Sequence, residues 1–269
     1  MDAFSEASLR GGHEFLRPET AAPSAQPDQH LVSLLAPRSY EAEQYRVLRH
    51  VIEQMHKDDD LRVIAVTSPA VGDGKTTTAI NLAGALAQDS ETRVLLIDVD
   101  LRRGAVQEQF RLRKSGTIGL AEAIADPSLA LSDVIRPLPQ FKLAIVPAGR
   151  CPDAPYEAFR SPRFIGLLRE ARKEYDYVVL DTPPLIPVPD SRVIAKSVDG
   201  FLLIVSAHRT PQRLVEEALD IIEPTKMIGI VFNRDDRPVP NSYGYYGTYA
   251  EPLNGHHVPW WKPRFKGRG

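Results

Sequence analysis

Six short and almost unbroken apolar runs constrain this chain more than any other feature: Val63-Ile64-Ala65-Val66, Val94-Leu95-Leu96-Ile97, Leu143-Ala144-Ile145-Val146, Val178-Val179-Leu180, Phe201-Leu202-Leu203-Ile204-Val205 and Ile228-Gly229-Ile230-Val231-Phe232. A strand with one wet face alternates apolar and polar residues, so runs this continuous suit strands buried on both faces. The segments Thr76 to Gln88, Ser161 to Glu174, Asp190 to Ser197 and Gln212 to Ile222 carry helical patterns between them. Strand and helix in alternation imply a parallel sheet covered on both sides. The expected fold is therefore doubly wound α/β, with a mostly parallel sheet, over residues 38–236.

The two ends read differently. Residues 1–37 are rich in Ala, Pro, Ser, Gln and Glu without periodicity, which predicts a disordered leader. Ser39 then suits the cap of a helix over 39–57, with Glu41 and Glu43 in its first turn and Tyr45, Leu48, Ile52 and Met55 forming one apolar stripe. Beyond Asn233 the pattern gives way to Pro, Gly, Asn and Tyr, so residues 237–269 read as a flexible tail with a basic end, Lys262 to Arg268. Trp260 and Trp261 beside that end suit contact with anionic lipid or a membrane partner, or a merely solubilising role.

Between the first strand and the helix after it lies Ser68-Pro69-Ala70-Val71-Gly72-Asp73-Gly74-Lys75-Thr76-Thr77. This is a P-loop with Pro69 in place of the usual first glycine, and strand-loop-helix is the context such a loop requires. Backbone amides from Val71 to Thr77 converge on phosphate oxygens in loops of this kind. Lys75 reaches the terminal phosphates and Thr76 offers a hydroxyl to Mg²⁺. Two other strands run into acids: Asp98 and Asp100 follow the second run, and Asp181 the fourth. Ligands of open α/β sheets sit beyond the carboxyl ends of strands, which places these acids at the same edge. Asp181 suits support of the metal, Asp98 the metal and attacking group, and Asp100 the rim. The nucleotide expected there is ATP, since Asn233-Arg234-Asp235-Asp236 only approximates a guanine-reading run.

Four of the nine tyrosines, Tyr243, Tyr245, Tyr246 and Tyr249, fall within seven residues of the tail. A phenol with a pKa near 10 is ionised to only about one part in a thousand at neutral pH, so a carboxylate placed to take its proton would assist attack on phosphorus. Asp98 is the expected base. A tail used for stacking or adhesion is the other reading of the same cluster.

Together these residues, from about Pro37 to Tyr249, resemble the bacterial tyrosine kinases of capsule and exopolysaccharide synthesis, the BY-kinases. Ala70-Val71-Gly72-Asp73-Gly74-Lys75-Thr76 is similar to their deviant first Walker motif. Asp98-Val99-Asp100-Leu101-Arg102 is similar to their second, and Leu180-Asp181-Thr182-Pro183-Pro184 to their Walker B. Glu43, Arg46 and Arg49 match the spacing of a Glu-x-x-Arg-x-x-Arg motif used in ring-shaped self-association. The resemblance implies ATP and Mg²⁺ as cofactors, a nucleotide contact from Arg102, and phosphorylation of each tail in a neighbour's site. It also implies activation by a transmembrane chain-length regulator, polysaccharide-synthesis enzymes as substrates and a cognate tyrosine phosphatase. Val71 and Gly104 stand where the family commonly has Pro, and Asp153-Ala154-Pro155-Tyr156-Glu157 departs from its Asn-Pro pattern. Asn233 falls where an adenine contact is expected.

Two other readings fit the loop: a partitioning or septum-placement ATPase, and a nucleotide-binding scaffold without transfer activity. Against the first, Ala70 occupies the position where those ATPases carry an early lysine; against the second, Lys75, Thr76, Asp98 and Asp181 are all retained. A net charge of −2 gives no general reason to expect nucleic acid as a partner. The one cysteine, Cys151, excludes an internal disulfide. With no export signal and no apolar run long enough to span a bilayer, the expected location is the cytoplasm, with recruitment to the membrane's inner face by a partner.

Overall fold

The computed structural model describes residues 27–112 and 118–235. The four tail tyrosines, the basic end and residues 1–26 lie outside the described residues. The elements run α1 (Val32–Leu35), α2 (Tyr40–Asp59), β1 (Val63–Thr67), α3 (Lys75–Leu86), β2 (Val94–Asp98), α4 (Val106–Gln109), α5 (Leu120–Ala125), α6 (Leu131–Val134), β3 (Arg136–Leu138), β4 (Leu143–Val146), α7 (Pro155–Arg160), α8 (Pro162–Glu174), β5 (Tyr177–Asp181), α9 (Asp190–Ile194), β6 (Gly200–Ser206), α10 (Gln212–Ile221) and β7 (Met227–Asn233).

The sheet order is β3-β4-β2-β5-β1-β6-β7, and every pairing is parallel except that of the edge strand β3 with β4. All six apolar runs are strands. The central ones feed two cores by the two-residue period of a strand. Val63 and Ala65 of β1, Leu95 and Ile97 of β2, and Val178 and Leu180 of β5 face the layer built by α5 to α10. Their neighbours Ile64, Val66, Val94, Leu96, Tyr177 and Val179 face the layer of α1 to α4. Seventh in number and unforeseen, β3 is three residues long with a proline at its centre, which an edge position tolerates because one side of the strand needs no ladder partner.

Ser39 caps α2 as expected, its hydroxyl oxygen accepting from the Ala42 amide at 3.1 Å. Ile52 is fully buried, and Leu48 and Met55 pack beside it. Among the described residues no helix is long and apolar enough to cross a membrane.

The leader expectation needs correcting for residues 27–37. This stretch is folded along α3: Leu31 is fully buried, α1 forms within it, and the Asp28 amide donates to the Gln109 carbonyl at 2.9 Å. The cause lies in α3, which is buried on almost every side and carries Asn81 at its middle. A buried amide side chain must find its partners inside the protein. Asn81 Oδ1 accepts from the Ser33 amide at 2.8 Å, and its Nδ2 donates to the carbonyls of His30 (2.8 Å) and Thr77 (2.9 Å). The leader's missing periodicity hid this, because the segment is held by a tertiary strap and by no regular face of its own. Asn81→Ala is expected to lower the unfolding free energy by about 2 kcal/mol, since it strands the strap's buried amide and carbonyl, and urea denaturation would measure the loss.

Candidate functional site

Because β2, β5 and β1 are adjacent and parallel, their carboxyl ends meet. Asp181 stands opposite Asp98 in one pairing and opposite Val66 in the other, one residue short of the strand end that opens into the P-loop. Gly74 precedes the first turn of α3 in the left-handed region, at φ +97°, and Gly72 is at φ +90°. A Cβ on Gly72 would meet nothing within 4 Å, so the loop is open on that side; a Cβ on Gly74 would lie 2.0 Å from Asn233 Nδ2. Val71 is 59% exposed at the loop's outer edge, whereas Asp73 is turned inward and buried. Thr77 is partly buried in the first turn of α3, its carbonyl held by Asn81.

Lys75 opens α3 and lies at the centre of the acids. Its Nζ is 3.0 Å from Asp100 Oδ2 and 3.4 Å from Asp181 Oδ1, and the Thr76 hydroxyl donates to Asp181 Oδ2 at 2.7 Å. Asp100 was expected at the rim, and the structure puts it at the centre, 4% exposed and gripping the lysine. The strand rule that puts Asp98 and Asp100 on one side stops applying at Asp98. Beyond it the chain turns, with the amides of Arg103 and Gly104 donating to the Asp100 carbonyl. Asp98 is fully buried; its Oδ1 accepts from the Asp100 amide at 3.2 Å and its Oδ2 from the Val106 amide at 2.9 Å.

Burial, with the Asp181 charge added, pushes Asp98 well above the usual carboxylate range, and the Val106 amide and Lys75 only partly offset it. Burial also raises Asp181, against the pull of Lys75 and Thr76. For Lys75, burial favours loss of its proton, but the Asp181 and Asp100 charges outweigh burial and the pKa is raised. The ammonium is thus kept charged by the acids that surround it.

Arg102, expected at the nucleotide, forms a two-point pair with the buried Asp190, Nε to Oδ2 at 2.9 Å and Nη2 to Oδ1 at 3.3 Å. Asn233, expected near the adenine, donates Nδ2 to the Asp73 carbonyl at 2.9 Å. In α2, Glu43 and Arg46 pair with each other, while Arg49 is drawn inward to Glu53 Oε1 at 2.5 Å and the Ala85 carbonyl at 3.1 Å. Asp190, which holds Arg102, and Thr210, whose hydroxyl donates to Asp73 Oδ1 at 2.7 Å, border the loop and were missed by pattern reasoning. Asp190 looked like an ordinary helix start, and the signal for Thr210 was its place just beyond β6 at the ligand edge of the sheet.

The residues fit a phosphate group and a Mg²⁺ ion. The open face at Gly72, the lysine at the head of α3, and the oxygen donors of Thr76 and Asp181 are the chemistry such a pair requires.

The comparisons agree with this geometry. Residues 61–207 match the family model of an AAA domain. The chain is 32% identical over 222 residues to the tyrosine-protein kinase YwqD of Bacillus subtilis (strain 168), covering 82% of this chain and 92% of that protein. It is 33% identical over 241 residues to the succinoglycan biosynthesis transport protein ExoP of Rhizobium meliloti (strain 1021), covering 87% of this chain but 30% of that protein. Among solved structures, the kinase domain of the Escherichia coli tyrosine kinase ETK superposes with a TM-score of 0.71 at 26% identity, over 80% of this chain and 86% of that one.

Gly74→Ala is expected to weaken nucleotide binding by more than about tenfold, because it combines left-handed strain with the Asn233 clash. Calorimetric titration with Mg-ADP would measure it, and an unchanged affinity would contradict this description of the loop.

Proposed function

The chain belongs to the AAA-domain P-loop proteins and, within them, to the bacterial tyrosine kinases of the BY type, and from that membership we propose that it transfers the γ-phosphate of ATP to Tyr243, Tyr245, Tyr246 and Tyr249 of a neighbouring copy. The observation that carries this reading is the convergence of the buried Lys75, Asp98, Asp100 and Asp181 with the partly buried Thr76 at one loop, in a chain whose tail holds a tyrosine cluster.

In this reading the amides from Val71 to Thr77 bind the phosphates, and Lys75 neutralises charge on the terminal ones. Thr76 and Asp181 would hold the metal, with Asp98 beside them. When bound, Mg²⁺ supplies charge neutralisation and alignment of the phosphate oxygens. A tyrosine oxygen bonds to the γ-phosphorus as the bond to the ADP oxygen breaks, and the phenolic proton passes to Asp98. The place of Asp98 at the end of β2, with Asp181 opposite on β5 and Lys75 close to both neighbouring acids, supports that role. Asp100 positions Lys75, and Asp190 positions Arg102 at the edge of the site.

The biological setting follows from the relatives. The likeness to the succinoglycan biosynthesis transport protein ExoP, of which this chain covers 30%, supports a function in exopolysaccharide or capsule production. In the same proposal, a membrane partner of the chain-length-regulator type recruits this chain to the inner face of the membrane. Polysaccharide-synthesis enzymes would be further substrates and a tyrosine phosphatase the opposing enzyme. Glu43, Arg46 and Arg49 on α2 are the proposed contacts of a ring-like assembly.

The test is incubation of the full chain with Mg-ATP, followed by intact-mass and peptide mass spectrometry. Phosphate on Tyr243 to Tyr249 is expected in the wild type and absent from Lys75→Met. Mixing Lys75→Met with an active copy whose four tail tyrosines are Phe should restore phosphate to the Lys75→Met chain. ATP turnover without any phosphotyrosine would overturn the proposal.

A further inference from the structure

The P-loop is held in shape from outside its own motif. Asp73 sits between the two glycines with its carboxylate facing inward, where Oδ2 accepts from the Ala70 amide at 3.0 Å. Its Oδ1 accepts from the Thr210 hydroxyl at 2.7 Å, and that hydroxyl oxygen accepts in turn from the Ser206 amide at 2.9 Å. The Asp73 carbonyl takes the Asn233 side-chain amide, whose own oxygen accepts from the Arg234 amide at 3.0 Å. Thr210 belongs to the loop after β6 and Asn233 is the last residue of β7, 137 and 160 positions away from Asp73. These two anchors are themselves joined, because the Ala207 amide donates to the Asn233 carbonyl at 2.8 Å.

We propose that Thr210 and Asn233 are positioning residues for nucleotide binding: a two-point latch that holds the loop with its phosphate-binding amides already arranged. The chemistry of each contact favours this role. Asp73 is buried and its carboxylate is occupied from both sides, so it is removed from the phosphate side, where a second negative charge would repel the ligand. Thr210 donates to a carboxylate, among the stronger kinds of hydrogen bond, and cannot turn away without also abandoning the Ser206 amide. Asn233 has its amide nitrogen on the P-loop and its oxygen on the following residue, so the side chain proposed from position alone as an adenine contact is committed to the loop. The lack of room for any side chain at Gly74 follows from the same close approach.

A latch of this kind acts before chemistry. Without it the loop must be ordered when nucleotide binds, which weakens ground state and transition state alike, so KM rises while kcat stays. The inference rests on nucleotide binding at this P-loop, so its readout is titration of the full chain with a fluorescent ADP analogue, beside initial phosphotyrosine rates at limiting and saturating ATP. Thr210→Val and Asn233→Ala are each expected to raise the dissociation constant and KM about tenfold, with kcat held within about twofold. Thr210→Ser, which keeps the hydroxyl, should restore both, and melting temperatures should not follow the affinities. Unchanged affinity in both variants, failure of Ser to restore it, or a fall in kcat at unchanged KM would overturn the latch. Weaker binding for Asn233→Ala alone would return Asn233 to the base and overturn it as well. A wild type that binds the analogue but forms no phosphotyrosine would instead remove the kinase step, leaving the latch to the titration.

Discussion

The parallel register of β2, β5 and β1 is the constraint on which the site depends. It sets Asp98 against Asp181 and brings the P-loop to the same edge. Every residue of these three strands is buried, with alternate side chains committed to opposite cores. A slip of one position would exchange the faces of a whole strand, moving Ile64 and Val66 into the space fitted to Val63 and Ala65. The positions of the acids are thus held by hydrophobic packing that has no chemistry of its own, and the site inherits its rigidity from the cores on either side.

That rigidity carries an electrostatic cost at the strand ends. Asp98 and Asp181 are fully buried beside Asp100, and one ammonium, that of Lys75, lies within 3.4 Å of two of the three. An unpaired buried charge is far more costly than an exposed one, and the cluster is compensated by the lysine, the Thr76 hydroxyl and the backbone amides of Asp100, Arg103 and Val106. The upward shifts of Asp98 and Asp181 express what remains uncompensated. A site in this condition favours added positive charge, which in the proposed reaction a magnesium ion arriving with nucleotide would supply.

Features carried by local pattern were legible in the sequence: the strands through unbroken apolar runs, α2 through its cap and stripe, the P-loop through Gly-Lys-Thr at a strand-to-helix junction, and Asp181 through its place at the end of β5. Features created by distant parts of the chain were not. The strap at residues 27–37 has no period because its order comes from Asn81 and the flank of α3. β3 is a strand only because β4 offers an edge. Asp100 could not be placed by counting, since the strand period ends at Asp98 and the turn after it swings the next acid onto Lys75. Arg102 pointed toward phosphate by analogy of motif, while its partner Asp190, 88 residues on, carried no signal by which to find it.

The arginines of α2 show how far a motif's members can differ in their physical situation. Arg46 and Glu43 pair on a surface where their side chains keep 37% and 41% of their exposure, so both can exchange partners with another chain, Arg46 by also giving up its bond to the Pro37 carbonyl at 3.1 Å. Arg49 is 21% exposed and reaches the Ala85 carbonyl in the last turn of α3, a helix end where a cation meets carbonyls that lack helical partners and the negative end of the helix dipole. Pulling Arg49 outward would therefore loosen α2 from the P-loop helix, whereas moving Arg46 or Glu43 would not. If the three residues serve self-association, Glu43 and Arg46 are available to a neighbouring copy, and Arg49 contributes by fixing the helix that presents them.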